Sequence, residues 1–108
     1  MCIFCDLIEH ADSNSILVND DAYICVRDIN PVSPIHLLFI PKKHVESLNE
    51  CTDEKIVGKI ICDMKKVAKK MKIDSYRVVV NTGKDAGQTV NHLHFHLLGG
   101  RSFDWPPG

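Results

Sequence analysis

Near its carboxyl end the chain reads His92-Leu93-His94-Phe95-His96-Leu97-Leu98, three histidines in strict alternation with large apolar residues. Side chains of an extended strand alternate between faces. This spelling therefore sends three imidazoles to one side, about 6–7 Å apart, and Leu93, Phe95 and Leu97 to the other. One histidine in such a place is ordinarily a hydrogen-bonded structural residue. Three on one face are a different matter, because stacked titratable rings cost stability unless a ligand engages them. Two chemistries use such a row. Neutral imidazoles bind a metal ion, or they receive a phosphate, one ring acting as nucleophile and the others as donors to its oxygens.

The rest of the sequence supplies a sheet and a cover for its back. Residues 16–19, 22–27, 36–40, 76–81 and 92–98 are short β-prone runs bounded by turn residues such as Asn19-Asp20-Asp21, Asn30-Pro31 and Thr82-Gly83. Between the third and fourth runs, Ile56, Val57, Ile60, Ile61, Met64, Val67, Ala68 and Met71 recur at helical spacing. Thr52 can cap that helix, Asp53 and Glu54 suit its first turn, and Lys69, Lys70 and Lys72 suit its last. Lys55, Lys59, Asp63, Lys66 and Lys70 mark its solvent face. Ile3, Phe4, Leu7 and Ile8 predict a short amino-terminal helical turn. The expected fold is α+β, a mostly antiparallel five-stranded sheet with one long amphipathic helix and a short amino-terminal helix. At 108 residues, one domain over 1–108 is the expectation.

Thirteen basic against fourteen acidic residues give a net charge of −1, without the basic excess that grips nucleic acid through many phosphates. No window approaches the ~20 apolar residues of a membrane span, and the first residues lack a basic segment followed by an apolar run. Five cysteines, an odd count with a single close pair, argue against a secreted disulfide framework. A cytoplasmic protein with no nucleic-acid or membrane partner is expected. Cys25, Cys51 and Cys62 have no partner spacing and read as packing or incidental residues, and His10 reads as a surface residue.

Two motifs bear on the histidine row. Gly83-Lys84-Asp85-Ala86-Gly87-Gln88-Thr89 feeds into it, and loops of this kind can turn backbone N–H groups toward an anion. Most glycine loops are plain turns. Cys2-Ile3-Phe4-Cys5 has a spacing that lets two thiolates share a Zn²⁺. A redox pair would follow a strand and open a helix, and no strand precedes this one. Zinc ligation, two unpaired structural thiols and redox chemistry are the three readings, zinc foremost.

The motif His92-Leu93-His94-Phe95-His96-Leu97-Leu98 resembles the His-φ-His-φ-His-φ-φ signature of the histidine triad (HIT) superfamily, φ being hydrophobic. Leu37-Leu38-Phe39-Ile40-Pro41-Lys42-Lys43-His44, Val79-Val80-Asn81, Gly87-Gln88-Thr89-Val90 and Gly99-Gly100-Arg101 through Trp105-Pro106-Pro107-Gly108 resemble its Hint branch, over essentially residues 2–108. The resemblance implies hydrolysis of purine nucleoside 5′-phosphoramidates to the nucleoside monophosphate and an amine. His94 would be the nucleophile. His96 and His36 would bind and polarise phosphate oxygens, and Thr89 would hydrogen-bond the phosphate or the departing amine. It implies a homodimer in which Trp105 and the tail after it reach the partner's active site.

By the same resemblance, Asp28 accepts the ribose hydroxyls. Asn81 and the Gly87, Gln88, Thr89 loop line the phosphate side, and Ile3, Phe4, Leu7, Val26 and Ile29 clamp the purine. Cys2, Cys5, His44 and His92 would form a closed structural Zn²⁺ site, with no cofactor required for catalysis. Val26-Arg27 stands where many Hint proteins have Phe-His, and Thr89 where they commonly have Ser, as in the Gln-Thr-Val of Fhit-type enzymes. Dinucleoside polyphosphate hydrolysis is one alternative. A catalytic zinc on the histidine row and a nucleotide-binding scaffold with vestigial turnover are two others.

Overall fold

The structure, a computed structural model, describes residues 2–108. The β-prone runs form β1 (Ile16–Asn19), β2 (Tyr23–Arg27), β3 (Ile35–Pro41), β4 (Tyr76–Val79) and β5 (Phe95–Gly99), with α1 (Ile3–His10) before them and α2 (Glu54–Lys70) between β3 and β4. The sheet is five-stranded with spatial order β1-β2-β3-β5-β4, and every neighbouring pair is antiparallel. The α+β expectation therefore holds, the amino-terminal turn being two full turns of helix.

Alternation along the strands divides the sheet into two faces. Tyr23, Cys25, Leu37, Phe39, Phe95 and Leu97 pack with Leu93 against Ile60, Met64 and Ala68 of α2. Ile24, Val26, Leu38 and Ile40 face the other way, onto Phe4, Leu7 and Ile8 of α1. The helical stripe is narrower than the sequence spacing suggests: Ile60, Met64 and Ala68 are fully buried, whereas Ile61 is 41% exposed. Across α2, Tyr23 Oη donates to Asp63 Oδ2 at 2.8 Å, and Lys59 Nζ sits 3.2 Å from that carboxylate and 3.3 Å from Asp20. The charged face thus ties the helix to the sheet as well as to water. Burial pushes the Cys25 thiol up to about 12, which leaves it inert.

Three local expectations are corrected. Asp53, not Thr52, caps α2, its Oδ1 accepting from the amides of Lys55 and Ile56 at 3.1 and 3.2 Å. The fourth strand stops at Val79, short of Asn81. The fifth begins at Phe95, so His92 and His94 precede it. The ladder between β3 and β5 ends at Phe39 opposite Phe95. Upstream of it Leu93 N donates to Val45 O at 2.8 Å, and the Pro41 carbonyl accepts from the His92 ring at 2.8 Å. Hydrogen bonds outside the ladder hold this approach to β5.

Beyond β5 the tail lies along β4. Arg77 donates to Asp104 O at 2.9 Å, and Arg77 and Arg101 stand 5.1 and 4.2 Å from the Phe103 ring centroid. Trp105 is 81% exposed.

Replacing Met64 by Ala is expected to lower the unfolding free energy by roughly 2–4 kcal/mol, and replacing Asp53 by Ala by about 1 kcal/mol. Thr52→Ala should stay within about 0.5 kcal/mol of the parent. Urea unfolding of the three variants checks the core and the reassigned cap together.

Candidate functional site

A cleft on the α1 face of the sheet, about 910 Å³, is lined by Phe4 and Leu7 of α1, Val26 and Asp28 at the end of β2, Leu38 of β3, Thr89 and Val90, and His94 and His96. Its size is that of a small-molecule site. The alternation of the histidine motif survives the late start of β5. Leu93, Phe95 and Leu97 are buried in the α2-side core, while the His94 and His96 rings stand 5.0 Å apart, centroid to centroid. Phe4 lies edge-on to both His92 and His94, at 5.9 and 4.9 Å.

Hydrogen bonds fix which nitrogen of each ring carries the proton. His94 Nδ1 lies 2.7 Å from the carbonyl of His92. A carbonyl only accepts, so Nδ1–H donates and a neutral His94 has its lone pair on Nε2. His36 Nδ1 accepts from the Val32 amide at 3.1 Å, which puts the proton of a neutral His36 on Nε2. That atom is 2.9 Å from His96 Nδ1 and 3.3 Å from Asp28 Oδ2. His96 therefore accepts at Nδ1 and carries its own proton on Nε2. His96 Nε2 is the one buried side-chain polar atom among the described residues with no partner, in a ring that lines the cleft. An orphaned buried N–H costs stability unless an acceptor arrives.

Burial holds His96 down at about 4, helped by the neighbouring His94 and His36 and opposed by Asp28. Burial also lowers His36, against the pull of the Asp28 carboxylate. Both rings are neutral at ordinary pH, so the Asp28–His36 contact is a hydrogen bond rather than an ion pair.

A second cluster lies behind the cleft. Ligand atoms of Cys2, Cys5, His44 and His92 lie within 4.8 Å of one another. His92 Nε2–H donates to Pro41 O at 2.8 Å, leaving Nδ1 bare. That Nδ1 is 3.1 Å from His44 Nδ1, 3.3 Å from Cys2 Sγ and 3.6 Å from Cys5 Sγ, and Cys5 Sγ is 3.4 Å from His44 Nδ1. Tetrahedral Zn²⁺ with ordinary bond lengths separates its ligands by about 3.3 Å for two nitrogens and about 3.5 Å for sulfur and nitrogen. The four residues are compatible with zinc. Desolvation, Cys2, Asp6 and Glu9 all raise the Cys5 thiol, a bias that a bound dication inverts.

The structure brings Ile3, Phe4, Leu7, Val26, Asp28, Ile29, Thr89, His94 and His96 to one cleft, Ile29 at its rim with 92% exposure. His36 stands behind His96. Asn81, Gly87, Gln88 and Trp105 are not among its lining residues. Gly87 N and Gln88 N donate within their own loop, to Lys84 O at 3.0 Å and Gly83 O at 3.1 Å, so these two amides are not an anion cradle. Gly87 takes φ +100 and leaves its Cα side against Asn81. The Gln88 amide donates to Glu46 O and Val90 O at 2.7 and 3.1 Å. Asp6, His10, Ala11, Ser15, Arg27, Asn30, Leu38 and Val90 also line the cleft and were not foreseen. For α1 the signal was present: Ile3, Asp6, Leu7 and His10 follow the i, i+3, i+4, i+7 rule of a helix face.

A histidine that titrates near 6.5 unfolded and near 4 folded makes the unfolded state the better proton acceptor between those values. The His96 contribution to stability is therefore whole above pH 6.5 and is lost as the pH falls toward 4. Urea midpoints measured across this range should decline with acidification, and the decline should be shallower in His96→Gln.

The HIT domain family model matches residues 9–103. Across the full length of both chains, the structure is similar to a HIT family hydrolase from Legionella pneumophila, with TM-score 0.94 and 38% identity. A Zn-bound histidine triad family protein from Mycobacterium smegmatis aligns with TM-score 0.80 and 28% identity over 96% of this chain and 78% of that one. A histidine triad nucleotide-binding protein from Candida albicans aligns with TM-score 0.76 and 29% identity over 100% and 85%. With the histidine alternation, the five-stranded sheet and the family match in agreement, this chain belongs to the HIT domain family.

Proposed function

We propose that the protein hydrolyses purine nucleoside 5′-phosphoramidates to the nucleoside monophosphate and an amine, by way of a nucleotidyl-His94 intermediate. The observation that carries this reading is the pair of ring nitrogens at the cleft: a lone pair on His94 Nε2, kept there by the His92 carbonyl, beside an unpartnered N–H on His96. One is a nucleophile that needs no separate base, the other a donor to the oxygen on which negative charge builds. The likeness to a HIT family hydrolase and to a nucleotide-binding protein supports the same class of reaction.

In the first step His94 Nε2 attacks the α-phosphorus. The P–N bond to the amine breaks, its electron pair stays on the amine nitrogen, and the amine leaves protonated from solvent at the open rim, hydrogen-bonded by Thr89. Water then attacks phosphorus and gives up a proton to solvent, which replaces the one the amine took; the P–Nε2 bond breaks, its electron pair returns to Nε2, and neutral His94 is restored with its Nδ1 proton undisturbed. His96 Nε2–H holds a phosphoryl oxygen throughout, and His36, behind it, donates to His96 Nδ1 and so keeps that proton on Nε2. Asp28 accepts the ribose hydroxyls, as an ionised, acceptor-only group can. Phe4, Leu7, Val26 and Ile29 receive the purine. The edge strand β4, whose Tyr76 and Val78 are more than a third exposed, supports a homodimer, in which, by the family resemblance, the Trp105 tail would reach the partner's cleft.

Cys2, Cys5, His44 and His92 would hold Zn²⁺ as a structural ion that would supply folding free energy and, with all four protein ligands engaged, leave no open position for substrate. Its Cys2 and Cys5 flank Ile3 and Phe4, so the ion would anchor the wall of the cleft.

Wild-type protein mixed with adenosine 5′-phosphoramidate and analysed by intact mass after an acid-free quench should show a transient nucleotidyl adduct. His94→Ala should show none and should lose turnover by at least about a thousandfold, the scale expected when a nucleophile is removed. Failure of the adduct to appear, with turnover abolished by a chelator, would favour a catalytic metal instead.

Purified protein should carry one zinc per chain. Cys5→Ser and His44→Ala should reduce that content sharply and lower Tm, whereas His94→Ala should leave zinc content unchanged; metal analysis and thermal melts of the three variants separate the two histidine roles.

A further inference from the structure

Two clusters gather ligand-type atoms within 4.8 Å: the cysteine cluster, and Asp28 with His36 and His96. The backbone gives them different characters. At the first, the Pro41 carbonyl takes the Nε2 proton of His92 and leaves Nδ1 bare. At the second, the Val32 amide occupies the Nδ1 lone pair of His36, so the nitrogen facing the cluster carries a proton where a metal would need a lone pair. The second cluster is a hydrogen-bond junction.

Its shared proton, on His36 Nε2, faces two acceptors: His96 Nδ1 at 2.9 Å and Asp28 Oδ2 at 3.3 Å. The other Asp28 oxygen already accepts from Asn30 N at 2.8 Å. Oδ2 is thus the oxygen open to change, and Asp28 lines the cleft. We propose that Asp28 is a positioning residue that couples occupancy of the sugar side of the cleft to the phosphate side, through the proton it shares with His96 on His36 Nε2. The proposal rests on the phosphoramidase reading.

When a sugar hydroxyl donates to Oδ2, the carboxylate pulls less strongly on the His36 proton, which commits to His96 Nδ1. A ring that accepts a stronger hydrogen bond at one nitrogen is a stronger donor at the other. The His96 Nε2–H then meets the phosphoryl oxygen as its charge grows. Hydroxyls that only added contact to the bound state would register in KM. Hydroxyls that sharpen His96 in the transition state register in kcat.

The test compares adenosine 5′-phosphoramidate with its 2′,3′-dideoxy analogue, in wild type and in His36→Gln, by steady-state kinetics. Wild type should lose about threefold or more in kcat without the hydroxyls, a change of the size that hydrogen-bond cooperativity permits, beyond any rise in KM. In His36→Gln, slower on both substrates, the ratio of the two kcat values should fall to near one. Equal wild-type kcat values with a difference confined to KM would overturn the coupling and leave the hydrolase reading standing. An unchanged ratio in His36→Gln would also overturn it, because the effect would then bypass His36. No turnover of either substrate by wild type would overturn the hydrolase reading itself.

A readout independent of activity is ring ¹⁵N NMR with adenosine 5′-monophosphate or its 2′,3′-dideoxy analogue bound. The coupling predicts that the His96 Nδ1 resonance moves toward a stronger accepted hydrogen bond with the ribonucleotide alone. Identical resonances with both nucleotides overturn it, even if His36→Gln proves too slow to assay.

Discussion

Both ring nitrogens and the carbonyl of one residue, His92, are committed, and both halves of the site depend on it. Its Nε2–H binds the Pro41 carbonyl, its Nδ1 turns to Cys2, Cys5 and His44, and its carbonyl fixes the His94 ring. The ring is completely buried, where an unmet donor or acceptor is costly, so these bonds reinforce one another. If the ring flipped, the metal-type cluster would lose a ligand atom and Pro41 its donor. The peptide that orients His94 would lose its anchor.

The sheet separates packing from chemistry. On the α2 side, apolar residues from β2, β3 and β5 meet Ile60, Met64 and Ala68, and none of that interior carries a reacting group. On the α1 side, only Ile24, Val26, Leu38 and Ile40 are buried core, and the histidines occupy the remaining area. The stable side holds His96 in the β ladder, and the bonds just upstream of it, Leu93 N to Val45 O and the His94 ring to the His92 carbonyl, hold His94 beside it.

The period-2 and period-3.6 patterns made most of this fold legible, because burial enforces them: Leu93, Phe95 and Leu97 had to point inward, and Ile60, Met64 and Ala68 had to meet them. The histidine row marked the ligand-facing side of the sheet for the same reason. What the sequence hid was decided by competition for particular backbone groups. Thr52 and Asp53 are both capping residues, and only the path of the chain selects Asp53. The start of β5 depends on which donors Val45 O and Pro41 O accept. Gly87 and Gln88 look like anion-binding amides until their loop closes on itself. Asp6 and His10 were readable from the helix face once its phase was known, whereas Asn30 and Val90 reach the cleft by loop paths with no periodic signature.

The cysteine cluster joins Cys2 to His92, 90 positions apart, at 3.3 Å. The cleft likewise needs Phe4 of α1 beside His94. Contacts of such long sequence separation form only after the entropy of closing nearly the whole chain has been overcome. During synthesis the first ten residues emerge long before their partners, and α1 has neither the ring nor the strand that it finally covers. The site is accordingly among the last features that can assemble, and a nascent chain halted before residue 92 lacks both the histidine row and the strand that joins β4 to β3.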